Sequence, residues 1–285
     1  MLSASHSVGG LALIPGGVAL VHSGTLWLAS SQTGEFTKVE TSTDPHALVS
    51  DGKWLYWLGH EKNEKLNLRT HEKSHVARFA PAARQRGLAV GDALYGFAEE
   101  AQVSRIGKRH VNLAHRANPY WASPGHLEAG EGILAFAVID RTDMSSFLWR
   151  TEVRKKGVRV DADLQQTHAW SLHNDGRLIF FRDGHVMSLG RKSKTPRPLF
   201  GQGDLTDLCW CGRDVCGISE TVGEARVHHR GKPESTVVAD AVGKPGFLRC
   251  SDQHIAWTTA GESKSTEVHL APLKPGKLLP VRDPD

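Results

Sequence analysis

The 285-residue sequence predicts an all-β fold, and three features carry that prediction. Glycine is abundant, at 29 residues, and falls between short runs of Val, Leu, Trp and Phe. That is the pattern of many short strands joined by tight turns. One motif then recurs along the whole chain: a short apolar strand, a Gly/Asp/Asn turn, and a second strand rich in aromatic and β-branched residues. The second strands begin near Val18, Trp54, Ala93, Ile133, Leu178, Val215 and Ile255, at steps of 36, 39, 40, 45, 37 and 40 residues. This is the period of four-stranded propeller blades. The expected architecture is a seven-bladed β-propeller with four-stranded antiparallel blades.

Taken in order, the units cover approximately 9–42, 43–83, 84–121, 122–163, 164–201, 202–240 and 241–282, as one domain over 1–285. Their opening hairpins read GGLALIPGGVALVH, PHALVSDGKWLYWLG, RGLAVGDALYGFA, GHLEAGEGILAFAV, AWSLHNDGRLIFFR, LTDLCWCGRDVCGIS and GFLRCSDQHIAWTT. Third strands follow, such as TLWLAS and KLNLRT, and alternate apolar with polar residues as strands with one buried face do. Fourth strands such as FTKVE and HVARFA complete each unit. A single four-stranded sheet cannot bury its own faces, whereas a ring of stacked sheets buries all of them. Trp27, Tyr56, Trp57, Phe97, Phe136, Trp149, Phe180 and Trp257 are the expected core between blades. The first and last units are expected to abut without strand exchange, residues 2–8 clasping the last strand of the seventh.

Asp51-Gly52-x-x-Leu55-Tyr56-Trp57, preceded by Pro45-His46-Ala47-Leu48, resembles the repeat of bacterial YVTN/NHL-type propellers and of virginiamycin B lyase. The resemblance implies the fold. The lyase family needs a His and a Glu near the axis, and the matching spots in the sixth and seventh blades are Thr206 and Gly246, so its activity is not carried over.

Composition narrows function only broadly. The formal net charge is +4, with 39% apolar and 23% charged residues, an ordinary soluble balance that favours acidic partners weakly. No apolar run approaches the roughly 18 residues of a membrane helix. The opening MLSASHSVGGLALIPGG lacks a basic n-region, so the chain reads as cytoplasmic as written, or as an exported mature domain.

In propellers the first strand of each blade lines the central channel. Counting six residues back from each hairpin turn selects Gly10, His46, Arg86, His126, Trp170, Thr206 and Gly246, with His168 close by. His46, Arg86, His126, His168 and Trp170 therefore form a candidate binding ring at the channel mouth. Imidazoles, a guanidinium and an indole together suit an anionic or aromatic ligand or an acidic partner loop, rather than a bare metal ion. Asp51, Asp92, Asp175 and Asp252 are read as turn residues.

The four cysteines, Cys209, Cys211, Cys216 and Cys250, all lie in the last two units. Disulfides across the hairpin or between the two blades, and buried free thiols, are both open. A metal centre is not expected, because zinc knuckles are usually C-x2–4-C and the first spacer here is a single residue. Basic residues cluster at Arg150, Arg154, Lys155, Lys156 and Arg159, and at Arg191, Lys192, Lys194 and Arg197. They are read as blunted outer strands rather than a nucleic-acid site, since no aromatic platform interleaves them. No catalytic motif and no cofactor signature is present. The leading reading is a non-enzymatic interaction scaffold that binds a partner protein or ligand on one face of the disc. The alternative is a lyase- or hydrolase-like enzyme or a small-ligand sensor using the His/Arg ring.

Overall fold

The computed structural model describes residues 2–3, 8–81, 85–99, 102–107, 111–114, 120–140, 142–153, 158–161, 169–201, 205–219, 225–228, 235–239, 244–260, 265–273 and 279–280. Their strands pair into seven antiparallel sheets, each following the chain from an inner to an outer strand. The first sheet, for example, runs Val8–Ile14, Gly17–His22, Thr25–Ser30 and Phe36–Val39. The other inner strands are Pro45–Ser50, Gln85–Val90, Tyr120–Gly130, Trp170–Leu172, Leu205–Cys211 and Lys244–Cys250. Each inner strand contacts the next, and the last contacts the first, so the inner strands close a ring around a channel. No described helix is long and apolar enough to cross a membrane.

The register reveals a repeat that counting from the turns misses. Leu11, Leu48, Leu88, Leu127, Trp170, Leu208 and Leu248 pair with Leu20, Trp57, Gly96, Phe136, Phe180, Gly217 and Trp257 respectively. The seven inner members are all buried. One leucine per sheet, replaced once by tryptophan, thus marks the same level of the ring. The bulky partners fill the space between neighbouring sheets. At Gly96 the space is taken by the Phe79 ring, which an added Cβ would meet at 2.4 Å. Of the eight aromatic residues expected in the core, six are buried; Trp27 and Tyr56 are only half-buried.

The pairing of inner strand with second strand is shifted by a bulge in six of the seven sheets, between Val8/Gly10, His46/Leu48, Gln85/Gly87, Ala122/Leu127, Leu205/Asp207 and Pro245/Leu248. A bulge sets extra residues of one strand against a single partner and bends that strand. In the second sheet Ala47 is that residue and sits at φ 56°.

Closure differs from expectation. The clasp forms, but Leu2–Ser3 pairs with the third strand of the seventh sheet, Ser265–Pro272, at Ser265 and Thr266. Leu279–Pro280 pairs with the same strand further along, at His269 and Leu270. Two short segments thus share the edge that a single fourth strand occupies in the other sheets.

Candidate functional site

The inner strands enclose a channel of about 900 Å³. Its wall is mostly glycine and aliphatic side chain, as follows from strands that place a leucine at one level and small residues beside it. Four charged residues interrupt it: Glu128, Asp207, Arg249 and Asp252.

Glu128 follows Leu127 and Asp207 precedes Leu208, so each carboxylate is fixed by the ring leucine beside it. Both complete the backbone of the next sheet. Asp207 Oδ2 accepts the N–H of Leu248 at 2.9 Å, and Oδ1 accepts that of Leu208 at 2.8 Å. Glu128 Oε2 accepts the N–H of Leu172 in the fifth sheet. Burial pushes the Glu128 carboxyl up to about 7, against the Leu172 N–H, the Arg249 guanidinium and the Ser171 hydroxyl. Burial likewise raises Asp207 to about 7. Arg249 and the two N–H groups oppose that shift, and the Glu128 charge adds to it. The Arg249 guanidinium stands 4.0 Å from Asp207 Oδ2 and donates to its neighbour's carbonyl, Leu248 O, at 2.6 Å.

The channel end formed by the inner hairpin turns carries Asp51, Asp92, Glu131, Asp175, Asp214 and Asp252, against Lys53, Arg177 and Arg213. The turn role read for the aspartates holds for Asp51, which accepts the N–H groups of Lys53 at 2.8 Å and Trp54 at 2.6 Å. It also holds for Asp175, which accepts from Arg177 N at 3.0 Å. The Asp175 carboxyl stays below the usual range: burial would raise it, but the Arg177 N–H and side chain and the His173 ring outweigh that. At the same mouth the Arg177 guanidinium lies 4.8 Å from the Trp210 ring centre, and His173 meets that ring edge-on at 5.2 Å. Trp210 Nε1 donates to Ser171 O at 3.2 Å, and the His173 ring contacts Gly212 O at 3.1 Å through Nε2.

The four described residues of the expected ring, His46, Arg86, His126 and Trp170, do not share one register position. Trp170 stands at the leucine level, is buried, and lines the channel. His126 is one residue before that level; His46 and Arg86 are two before it. A fixed count from the turn therefore reaches different register positions in different sheets. Hairpin turns of unequal length and the bulges upstream cause the drift. His46 and Arg86 do come together, beside the second and third sheets. The His46 ring faces His60 at 5.5 Å, and Arg86 pairs with Glu99. Burial first, then His60, holds the His46 pKa below its ordinary value; Arg86 acts the same way, against the carbonyls of Asp44 and Gln85. His168 lies outside the described residues. Sequence reasoning missed Glu128, Asp207 and Arg249, and the recurring leucine is the signal that finds them.

The basic stretches also resolve. Arg150 donates to Gly190 O and Ser193 O, each at 2.9 Å, bridging the fourth and fifth sheets. It is a structural cation, its pKa lowered by burial against Glu152. Arg154, Lys155 and Lys156 lie outside the described residues.

The four cysteines form two disulfides, Cys209–Cys250 and Cys211–Cys216, with Cα separations of 5.9 and 6.1 Å. The first staples the sixth sheet to the seventh; the second spans the sixth sheet's inner hairpin. Of the alternatives left open by the sequence, the disulfides are the ones observed.

No protein-family model matches the sequence, and no curated protein matches it. Solved structures do. A puromycin-hydrolyzing peptidase of Mycobacterium tuberculosis superposes with a TM-score of 0.73 at 12% identity; the match covers 98% of this chain and 53% of that one. YCF48 of Cyanidioschyzon merolae gives 0.66 at 10% identity, covering 95% and 97%. Hsv2 of Kluyveromyces lactis gives 0.57 at 10%, covering 97% and 100%. The chain has a β-propeller fold. At these identities the likeness extends to the fold and no further, and this propeller spans about half of the peptidase it resembles.

Proposed function

We propose that this propeller is a non-enzymatic interaction scaffold, one seven-bladed unit with the boundaries given above. A partner protein docks on the face formed by the inner hairpin turns and directs a basic segment at the channel. The observation that carries this reading is the charge of that face. The inner hairpin turns carry six carboxylates against three cations, with Arg191 of an outer turn reaching Glu131 O and with Glu128 and Asp207 against Arg249 behind them, in a chain of formal net charge +4. A local field opposite in sign to the whole molecule steers a complementary partner to one place. Trp210, carrying Arg177 on its face, offers an aromatic anchor at the rim of the same mouth.

A scaffold is favoured over an enzyme because the channel carboxylates already hold backbone N–H groups of the neighbouring sheets. A general acid or base needs that capacity for its substrate. An anionic ligand is disfavoured at this mouth for the same electrostatic reason. The His46–His60–Arg86 group offers it a separate, weaker alternative at the other end of the inner strands.

The test is affinity capture from the source cells, comparing the wild-type chain with Glu131→Lys/Asp214→Lys/Asp252→Lys by quantitative mass spectrometry. Partners held in a salt-sensitive manner by the wild type and lost by the triple variant support the reading. Partners retained equally by both would place the interface elsewhere.

A further inference from the structure

The geometry points to a second state for the four cysteines: in the reduced protein they form a tetrathiolate zinc site. Their four Sγ atoms all lie within 4.8 Å of one another. A tetrahedral Zn–S₄ centre with bonds of about 2.3 Å needs sulfurs about 3.8 Å apart. Once the disulfides open, small rotations about the Cα–Cβ bonds suffice to reach that spacing.

The fold supplies this cluster without a loop. Cys209 and Cys211 stand two apart on one inner strand and so share a face. Cys216 lies directly across the hairpin from Cys209. Cys250 arrives from the adjoining inner strand of the seventh sheet. Cys211-x4-Cys216 across a tight turn also falls within the spacing of zinc knuckles. The sequence reading attended to the single-residue spacer of Cys209-x-Cys211. The ring brings in a fourth ligand 34 residues beyond Cys216, and a local motif search cannot see it.

The surroundings suit a structural rather than a catalytic centre. Cys209, Cys211 and Cys216 are buried among Ile218, Leu248, Ile255 and Trp257, with Cys250 packed against them. Cys209 and Cys250 also border the channel, which gives reductant and metal a route in. Arg249, next to Cys250, contributes positive charge near a dianionic centre.

The chemistry balances. Each disulfide accepts two electrons and two protons from a dithiol reductant, which closes to its own disulfide. The four resulting thiols release four protons on binding one Zn²⁺. The same four sulfurs thus staple the sixth and seventh sheets by covalent bonds in an oxidising compartment and by a metal in a reducing one.

The experiment uses the whole chain, reduced by a dithiol, desalted under anaerobic conditions and titrated with Co²⁺ and then Zn²⁺. The expected result is a thiolate-to-cobalt charge-transfer band with intense tetrahedral d–d bands, saturating at one equivalent and abolished by Zn²⁺. Bound zinc should then protect all four cysteines from alkylation, as counted by intact mass. A weak octahedral cobalt spectrum, or alkylation unaffected by zinc, would overturn the proposal. So would disulfides that resist the dithiol while the chain stays folded, or zinc protection of fewer than four thiols. Cys216→Ser tests ligand number independently, and its fold is checked by far-ultraviolet circular dichroism. It should bind Co²⁺ at least tenfold more weakly, and unchanged binding with the fold intact counts against four-sulfur ligation.

Discussion

Asp207 accepts the backbone N–H of Leu248 across the junction of the sixth and seventh sheets, at 2.9 Å. Glu128 does the same for Leu172 between the fourth and fifth. An inner strand of a propeller has no partner strand on its channel side, so its N–H groups must find acceptors elsewhere. Asp207→Ala should therefore destabilise the protein by about 1–3 kcal/mol, because the N–H groups of Leu208 and Leu248 lose their acceptor. Glu128→Gln keeps an acceptor oxygen and should cost less than Glu128→Ala. Chemical denaturation of the three variants checks the order.

The same carboxyls set a pH dependence. Burial raises both to about 7 in the folded state, above ordinary unfolded values near 4. Their contribution is fully present below the unfolded pKa and is lost as pH rises through about 7. Glu128→Gln should flatten the fall in melting temperature between pH 5 and pH 8. Arg249→Met should steepen it, since the guanidinium opposes the upward shift. An unchanged slope in both variants would exclude these groups as its source.

His269 acts in the opposite direction. Its ring stacks on Trp257 at 5.0 Å, and its Nε2 lies 2.7 Å from Thr259 Oγ1. Burial lowers its pKa, with Glu267 opposing. A lowered folded pKa means stability that is present above the unfolded value of about 6.5 and lost as pH falls below it. His269→Gln should reduce the acid-side loss, read as melting temperature between pH 6.5 and pH 4.5.

Gly96 and Phe79 form a complementary pair. A methyl group at position 96 would lie 2.4 Å from the Phe79 ring, so Gly96→Ala should cost about 1–3 kcal/mol by overpacking. In a Phe79→Ala background the same substitution should cost far less, and a double-mutant cycle measures the coupling. Trp257→Ala, which empties a fully buried position, should cost about 3–5 kcal/mol.

The strand pattern was readable because alternation and turn glycines are local. The inner hairpins and the buried Trp57, Phe136 and Trp257 follow from them directly. Exact phase was not readable. Turns of unequal length moved the count off the leucine level, and a bulge such as Ala47 leaves no mark that distinguishes it from its neighbours. That drift put His46 and Arg86 into a ring with Trp170 and passed over Glu128, two residues beyond His126. Cys250 illustrates the other limit. Its proximity to Cys209 depends on closing two sheets against each other, and spacing along the chain does not encode that.

The edge shared by Leu2–Ser3 and Leu279–Pro280 has a consequence for the order of events during synthesis. Leu2 and Ser3 are synthesised about 260 residues ahead of their hydrogen-bonding partners, Ser265 and Thr266. Until those partners are made, the growing propeller is an open arc of sheets with a bare strand at each end. The latch can engage only when the seventh sheet has left the exit tunnel, so closure is late, and stalling before residue 265 would leave the arc open to pairing with a neighbouring nascent chain.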